Sequence, residues 1–303
     1  MGARLVGAAL AIVALLAGAY LVAVLEGWVW TGRLRPAGPL VSAAALLSRE
    51  SVVPRSPDRI FFEAGPPLLL VSALLAAAVL PLAPGLVVAD LATGALFVNA
   101  ALAYVMVALV MAGWGPDGAY AMVGGFRFLG QLVGYSMLIV MPITAVAMRA
   151  ESLMTTDIVA SQAALPNAVY QPIGLVAFFL AGMMACFLPP FDLATARGEL
   201  AGGVEAEYSG WRLATFRAGR AILIVTVATA TSVFYFGGWL GPGLPGWAWG
   251  GLKALAVAAI MLSLGHLVPR IKEEHLLAWC WKLGIPLALF NIFYVGVLLL
   301  AVG

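Results

Sequence analysis

The residues that could carry acid–base or ion-pairing chemistry in this 303-residue chain concentrate in two polar segments, 26–63 and 189–212. The second segment places Asp192, Glu199 and Glu207 close to basic and aromatic side chains. Carboxylates near guanidinium groups can form charge-assisted hydrogen bonds, and burial can turn such carboxylates into proton carriers. This pattern fits both a partner-binding loop and a loop that lines a substrate cavity.

Other kinds of chemistry lack a sequence pattern in this chain. Cys186 and Cys280 are far apart in apolar surroundings, and His266 and His275 are not at metal-ligand spacing. We therefore expect small buried thiols and interfacial imidazoles, with no metal bound. Phosphate loops, nucleophile triads and dinucleotide fingerprints are also missing from the sequence.

The elements that position the polar segments are transmembrane helices. Hydrophobic residues make up 63% of the chain and charged residues only 10%, against roughly 25% charged residues in soluble domains. This composition excludes a soluble globular enzyme, a disordered chain and a disulfide scaffold. The net charge of +2 gives no basic excess for binding nucleic acid.

A transmembrane helix needs about 20 apolar residues, and eight stretches qualify. We predict an all-α integral membrane protein, a single domain over 1–303, with an interfacial amphipathic helix at Val41–Glu50. The polar, proline-interrupted stretch 152–170 is predicted to be a loop. The predicted spans are 4–25, 66–84, 87–111, 129–148, 171–189, 221–240, 249–268 and 283–301.

The basic residues are distributed very unevenly between the two sides of the membrane that these eight spans define. Thirteen of the sixteen fall on one side, and only Arg4, Arg149 and Lys253 on the other. The positive-inside rule places the richer side in the cytoplasm and both termini outside, in a membrane of the prokaryotic inner-membrane type. Most acidic residues lie on that same side, so we expect function at the cytoplasmic face.

Several motifs resemble one family along nearly the whole chain. PFDL (Pro190–Leu193), EL (Glu199–Leu200) and EYSG (Glu207–Gly210) resemble, at matching spacing, a loop of the H subunit of proton-pumping NADH–quinone oxidoreductase, respiratory complex I. Related membrane subunits of formate hydrogenlyase and energy-converting hydrogenases share this pattern. Further similar segments are GW at Gly113–Trp114, YAMVGGFRFLGQLVGY at Tyr120–Tyr135, FGGW at Phe236–Trp239 and WKLGIPLALFN at Trp281–Asn291.

The resemblance implies a subunit at the junction of the membrane arm and the soluble redox arm, lining the quinone-access chamber. Under this interpretation the enzyme is the whole oxidoreductase, and the chain is not expected to be active alone. The implied quinone-chamber candidates are Arg33, Arg35, Arg49, Arg127, Gln131, Tyr135 and Phe191. The implied coupling or docking candidates are Glu26, Asp58, Arg59, Asp192, Glu199, Glu207, Tyr208 and Arg212.

The resemblance also implies cofactors and partners. Quinone is a possible ligand, while flavin, iron–sulfur clusters or a nickel–iron site would belong to partner subunits. The implied partners are antiporter-like and other membrane-arm subunits, soluble iron–sulfur and quinone-site or hydrogenase-like subunits at the cytoplasmic face, and the lipid bilayer.

The chain departs from the family where buried carboxylates are usual. Ser136 replaces a glutamate of the fourth span, and the usual glutamate and arginine before PFDL are Ala185 and Leu188. Other acidic positions hold residues without a carboxylate, namely Thr195, Arg197 and Arg220.

We therefore expect a docking subunit whose intramembrane carboxylate relay is depleted. Three alternatives remain: a relay through waters or partner residues, the equivalent subunit of a nickel–iron hydrogenase or formate hydrogenlyase-like complex, and a mainly structural anchor.

Overall fold

The structure, a computed structural model, describes residues 2–196 and 198–302, and within them it contains helices and no strand. Arg197 lies outside the described residues. The helices are α1 Gly2–Thr31, α2 Gly38–Leu47, α3 Arg59–Ala78, α4 Gly94–Trp114, α5 Ala119–Ala150, α6 Thr155–Ala160, α7 Asn167–Tyr170, α8 Pro172–Ala185, α9 Gly210–Tyr235, α10 Gly246–Leu267, α11 Glu273–Trp279 and α12 Ile285–Val302. A 3-10 turn at Gly203–Glu205 precedes α9, and a π-helical turn at Cys280–Gly284 joins α11 to α12.

The predicted all-α membrane architecture is confirmed in its main features. Seven helices of the described part of the chain are long and apolar enough to cross a membrane. They are α1, α3, α4, α5, α9, α10 and the continuous α11–α12 segment. The predicted span 171–189 corresponds to α8, which has only 14 residues and is about 21 Å long. A hydrocarbon core is about 30 Å thick, so α8 alone does not meet the length criterion.

Several helices begin earlier in the sequence than the predicted spans that they contain. The spans expected to begin at 66, 129 and 221 belong to helices that begin at Arg59, Ala119 and Gly210. The apolar pattern ends where charged residues enter, whereas the backbone hydrogen bonding continues into the polar region. The predicted loop 152–170 also contains α6 and α7, two helices too short to produce a clear periodic pattern.

Helix α9 lies at the centre of the bundle. Every residue from Ile222 to Tyr235 is buried, including Thr226, Thr229 and Thr231. The Thr226 hydroxyl donates to the Ile222 carbonyl at 2.8 Å, and Thr231 makes the equivalent bond to Val227 at 2.9 Å. These bonds satisfy hydroxyls that would be costly to bury alone.

The loops gather at two ends of this bundle. The charged end comprises the connections 32–37, 48–58, 115–118, 186–209 and 268–272 together with the adjoining helix ends. The opposite end comprises the connections 79–93, 151–171 and 236–245 with their helix ends. At the charged end the Asp58 N–H donates to the Gly115 carbonyl at 2.9 Å, which joins two of its loops directly.

Buried neutral amides hold the opposite end together. Gln162 donates to the Val233 carbonyl at 2.8 Å and accepts from the N–H groups of Gly237 and Asn167 at 2.9 and 3.2 Å. The Asn167 amide donates to the Phe234 carbonyl at 2.8 Å. Both amides are almost fully buried, so their hydrogen bonds replace those that water would otherwise make.

Candidate functional site

Tyr208 fixes the second polar segment to the bundle through carbonyls that prolines leave free. Its hydroxyl lies 3.2 Å from the Phe62 carbonyl and 3.3 Å from the Ala112 carbonyl, and it can donate to either. In a regular helix these oxygens would accept from residues 66 and 116, but both are prolines, which lack an N–H. The tyrosine ring stacks on Phe62, with centroids 4.8 Å apart.

Arg212 joins the first polar segment to the start of α9. Its Nε donates to Glu63 Oε2 at 2.9 Å, and its terminal nitrogens contact Glu63 Oε1 and the Ser51 hydroxyl. The guanidinium carbon lies 5.1 Å from the centroid of the Phe62 ring. Arg212 is buried and its forked contact with a carboxylate is geometrically specific, so it orders the 48–58 connection.

A second group of charges connects α5, α11, the 186–209 segment and the 268–272 connection. Arg127 donates to Glu199 at 2.8 Å and lies 3.7 Å from Glu273. Arg270 pairs with Asp192 at 2.9 Å and approaches Glu199 at 3.9 Å. These five residues come from four different parts of the chain, so their ion pairs tie the surface of the charged end together.

The ion pairs and burial shift the pKa values of two groups in opposite directions. The hydrogen bond from Arg127 and the nearby charge of Arg270 lower the pKa of the Glu199 carboxyl below its ordinary value of 4.5. Burial, assisted by the negative charge of Glu63, raises the pKa of the Tyr208 hydroxyl above 10. Glu199 therefore stays ionised and Tyr208 stays protonated near neutral pH.

A cavity of about 540 Å³ opens at the charged end between α1, α2 and α9. Its lining includes four arginines and two glutamates together with small apolar residues. Glu26 on α1 pairs with Arg220 on α9 at 3.2 Å across the cavity. The charged lining residues are Arg33, Arg35, Arg217, Arg220, Glu26 and Glu205.

The predicted quinone-chamber residues do not form one cluster. Arg33 and Arg35 line the cavity, whereas Arg127 takes part in the surface ion pairs. Gln131 is fully buried, and its amide donates to the Met184 carbonyl at 3.0 Å.

Three further chamber candidates also lie outside the cavity lining. Tyr135 packs in the core with its ring centroid 5.9 Å from that of Phe128. Phe191 is buried, and Arg49 is exposed after α2.

The remaining coupling or docking candidates occupy different local settings. Asp58 is the N-cap of α3, and its carboxylate accepts from the Ile60 N–H at 3.2 Å. Arg59 is exposed in the first turn of α3, and Glu207 is exposed beside Gly118. Glu26 lines the cavity as described.

Sequence reasoning missed several charged residues that complete these groups. Glu63, Arg270 and Glu273 are the partners of predicted residues, while Glu205 and Arg217 line the cavity and lie 4.0 Å apart. The spacing of Arg217 and Arg220 offered a signal, because residues three apart on a helix share a face. The other three come close to their partners only through the tertiary fold.

The residues that depart from the family pattern lie in both buried and partly exposed positions. Ala185 and Leu188 are buried in the core, Thr195 is buried, and Ser136 is partly buried on α5. Arg220 is paired with Glu26, and its guanidinium lies over the Phe187 ring at 5.3 Å. The sequences of α5, α8 and α9 contain no Asp or Glu.

Comparison with known proteins gives consistent relatives. The family described as NADH dehydrogenase matches residues 9–296. The H subunit of NADH-quinone oxidoreductase from Syntrophotalea carbinolica is 33% identical over 272 residues, which cover 87% of this chain and 82% of that protein. The second H subunit of NADH-quinone oxidoreductase from Cereibacter sphaeroides is 36% identical over 248 residues, covering 82% and 78% respectively.

A solved structure has the same fold. One chain of the membrane-bound sulfane sulfur reductase, an archaeal respiratory membrane complex, superposes with a TM-score of 0.84. The match covers 97% of this chain and all of that chain, at 20% sequence identity. At this identity the similarity concerns the arrangement of the helices.

Proposed function

Because the chain belongs to the NADH dehydrogenase family, which includes the H subunits of NADH-quinone oxidoreductase, we propose that its charged end docks a soluble electron-carrying assembly. The chain is a membrane-arm component of a complex I-like translocase. The proposal assigns its cytoplasmic face to the charged end, and flavin, iron–sulfur or nickel–iron centres to the partner subunits.

The observation that carries this proposal is the way the loops of the charged end are tied to one another. Arg212, Tyr208 and the Arg127–Glu199 pair join separate loops and helices, while Glu199 and Glu207 remain exposed. A surface that is already ordered loses less conformational entropy when a partner binds. Its exposed charges give specificity to that encounter.

The docking proposal is tested by charge inversion at each end. We expect Glu207→Lys to reduce the amount of soluble subunits that copurify with the membrane arm, because the inverted charge opposes a complementary partner surface. Glu151→Lys, at an exposed position of the opposite end, is the matched control and should retain them. Equal retention in both variants, or equal loss, would contradict the assignment.

We further propose eight crossings with both termini outside the cytoplasm. Helix α8 would complete the eighth crossing together with α7 before it and residues 186–190 after it, which are buried except for the partly exposed Pro189. The strong asymmetry of basic residues supports this orientation. An impermeant thiol reagent should label a cysteine at Leu244 from outside and one at Arg55 only after permeabilisation, and the reverse pattern would refute it. The two native thiols are buried and give a low background.

Helix α2 is proposed to lie in the membrane interface. Leu40, Val41 and Leu47 are each more than 60% exposed, and Arg35 and Arg49 flank the helix. Apolar side chains on one short helix beside basic residues suit the boundary between headgroups and acyl chains. Quenching of a fluorophore at Leu47 by brominated lipids tests this placement.

The cavity beside α2 is the proposed entry for quinone. The guanidinium groups of Arg33 and Arg35 can donate to quinone carbonyl oxygens, and the small apolar residues suit its tail. The residues present thus fit such a ligand. Bound quinone would accept the electrons that partner subunits deliver, while this chain would supply the passage and the hydrogen-bond donors.

The depleted carboxylate relay is also proposed to weaken ion coupling. With no acidic residue in α5, α8 or α9, proton movement through this chain lacks its usual titratable groups. Ser136→Glu should raise the number of ions moved per electron, whereas Ser136→Gln should not. An unchanged ratio in a complex that already pumps fully would refute the depletion.

A mainly structural anchor is the second candidate function, and the same lack of acidic residues favours it. If the chain is a structural anchor, the complex should transfer electrons without moving ions through this chain. Measuring ion uptake in vesicles during steady electron transfer distinguishes the anchor from a translocating component.

A further inference from the structure

The cavity between α1, α2 and α9 is formed by small residues on facing helices. Ala214, Ala218 and Ala221 follow one another at helical spacing on α9, and Ala23 and Gly27 face them from α1. A Cβ added at Gly27 would meet nothing within 4 Å. Because these side chains do not fill the space between the helices, an apolar chain could lie there.

The polar end of this cavity carries an excess of positive charge. Of its four arginines, Arg220 pairs with Glu26 at 3.2 Å and Arg217 approaches Glu205 at 4.0 Å. Among the described residues, no carboxylate oxygen lies within 4 Å of the guanidinium nitrogens of Arg33 or Arg35. Four arginines and two glutamates leave the lining with a net charge of +2.

The segment that carries the two remaining arginines is held in place. The Tyr20 hydroxyl on α1 donates to the Pro36 carbonyl, and the Thr31 hydroxyl donates to the Gly27 carbonyl at 2.7 Å. The Arg33 N–H donates to the Thr31 hydroxyl oxygen at 3.3 Å. Arg33 and Arg35 therefore extend from an ordered turn beside the cavity.

We propose that this cavity binds the phosphate of an anionic phospholipid, with Arg33 and Arg35 on the phosphate and an acyl chain between α1 and α9. Guanidinium groups form paired hydrogen bonds with phosphate oxygens and lose little conformational freedom in doing so. A neutral headgroup would leave the +2 charge uncompensated. The inference concerns the same cavity as the proposed quinone entry, so lipid and quinone would occupy it in turn, but it does not depend on quinone entering it.

The test measures lipids bound to the purified intact complex. Native mass spectrometry should find an anionic phospholipid retained after washing with neutral detergent. The double variant Arg33→Ala/Arg35→Ala should retain it about 25-fold less well, since each basic residue near an anionic lipid contributes about fivefold. Arg55→Ala, an exposed arginine of the same polar segment outside the cavity lining, is the matched control and should retain it fully.

A second variant separates the cavity from charge alone. Ala218→Leu fills the space on α9 while keeping every arginine, and it should also release the lipid. The melting temperature of each complex shows whether the variant still folds, and Arg33→Lys/Arg35→Lys should recover part of the retention.

Three results would overturn the proposal. The first is retention of the lipid that is unchanged in the double variant. The second is binding of inorganic phosphate at this site with no bound lipid. The third is loss of a neutral quinone as the sole amphiphile released in the double variant. Quinone reduction is assayed separately with the same complexes. Loss of the soluble subunits, which would mark failure of the docking proposal, is visible in the same mass spectra.

Discussion

The two ends of the bundle are held together by different chemistry. At the charged end, ion pairs such as Arg127–Glu199 connect separate segments, and the side chains of this pair are 28% and 55% exposed. At the opposite end, Gln162 and Asn167 are 3% and 0% exposed and bond mainly to backbone groups, and Asn167 also accepts from the Arg149 side chain at 2.6 Å. The first arrangement leaves charges available to a partner, whereas the second uses its polar groups to stabilise the fold.

The energetic consequence follows from exposure. Exposed ion pairs contribute about 0–1 kcal/mol each to stability, while leaving one buried donor or acceptor without a partner costs about 1–3 kcal/mol. We therefore expect substitutions at the opposite end to affect folding and those at the charged end to affect assembly.

The largest effect is expected from Gln162→Leu. It removes the partner of the Val233 carbonyl and of the Gly237 and Asn167 N–H groups, so it should destabilise the protein by about 3–5 kcal/mol. Thermal unfolding in detergent measures this loss. Gln131→Leu, the same change nearer the charged end, removes a single bond and should cost less than half as much. Similar losses in both variants would show that the buried amides of the opposite end have no special role in stability.

An intermediate effect is expected at Arg212. Arg212→Leu removes the forked contact with Glu63 and the contact with Ser51, and it should destabilise the protein by about 2 kcal/mol. The Glu63 side chain is 45% exposed and would be hydrated in the variant. This hydration limits the loss of stability. Arg212→Lys should recover part of the stability, and faster hydrogen exchange in residues 48–58 should accompany the leucine variant alone.

A small effect on stability is expected from Arg127→Ala. Its partners Glu199 and Glu273 are exposed enough to be hydrated, so the free energy of unfolding should fall by less than about 1 kcal/mol. The soluble subunits should nevertheless copurify less well, because the 186–209 segment loses its link to α5. A loss of several kcal/mol would show that the charged end is structural in the same sense as the opposite end.

The smallest effect is a pH dependence carried by Glu199. Since its pKa is lowered in the folded chain, its stabilising contribution is complete above the unfolded value near 4.5 and is lost as the pH falls through the folded value. Hydrogen exchange in residues 198–204 should therefore accelerate below about pH 4.5, relative to the intrinsic rate. Glu199→Gln should remove this component, and an identical acid response in that variant would refute the assignment.

Hydrophobicity predicted the membrane class and the approximate positions of seven long helices, because apolar stretches must cover the hydrocarbon core. It misplaced the start of α3 and α5, where the helix continues through charged residues such as Arg59 and Arg127. Asp58 shows a similar limit: the resemblance to the family implied a coupling or docking role, and only the structure shows that its carboxylate caps α3.

The sequence supplied candidate residues one at a time but not their spatial arrangement. The motifs identified Tyr208 and Arg212, yet the carbonyls that Tyr208 reaches are free only because of Pro66 and Pro116. Arg33 and Arg35 line the same cavity as Arg217 only because α9 packs beside α1. Such contacts join residues far apart in the chain, and no local pattern of the sequence encodes them.

The most direct test of the central claim is site-specific photo-crosslinking in the intact complex. A photoreactive amino acid replaces Arg55 or Lys272 at the charged end, and Leu244 or Trp247 at the opposite end; all four positions are exposed or partly exposed. The first pair should crosslink to soluble electron-carrying subunits, and the second pair should not. Crosslinks to those subunits from Leu244 or Trp247, with none from Arg55 or Lys272, would contradict it.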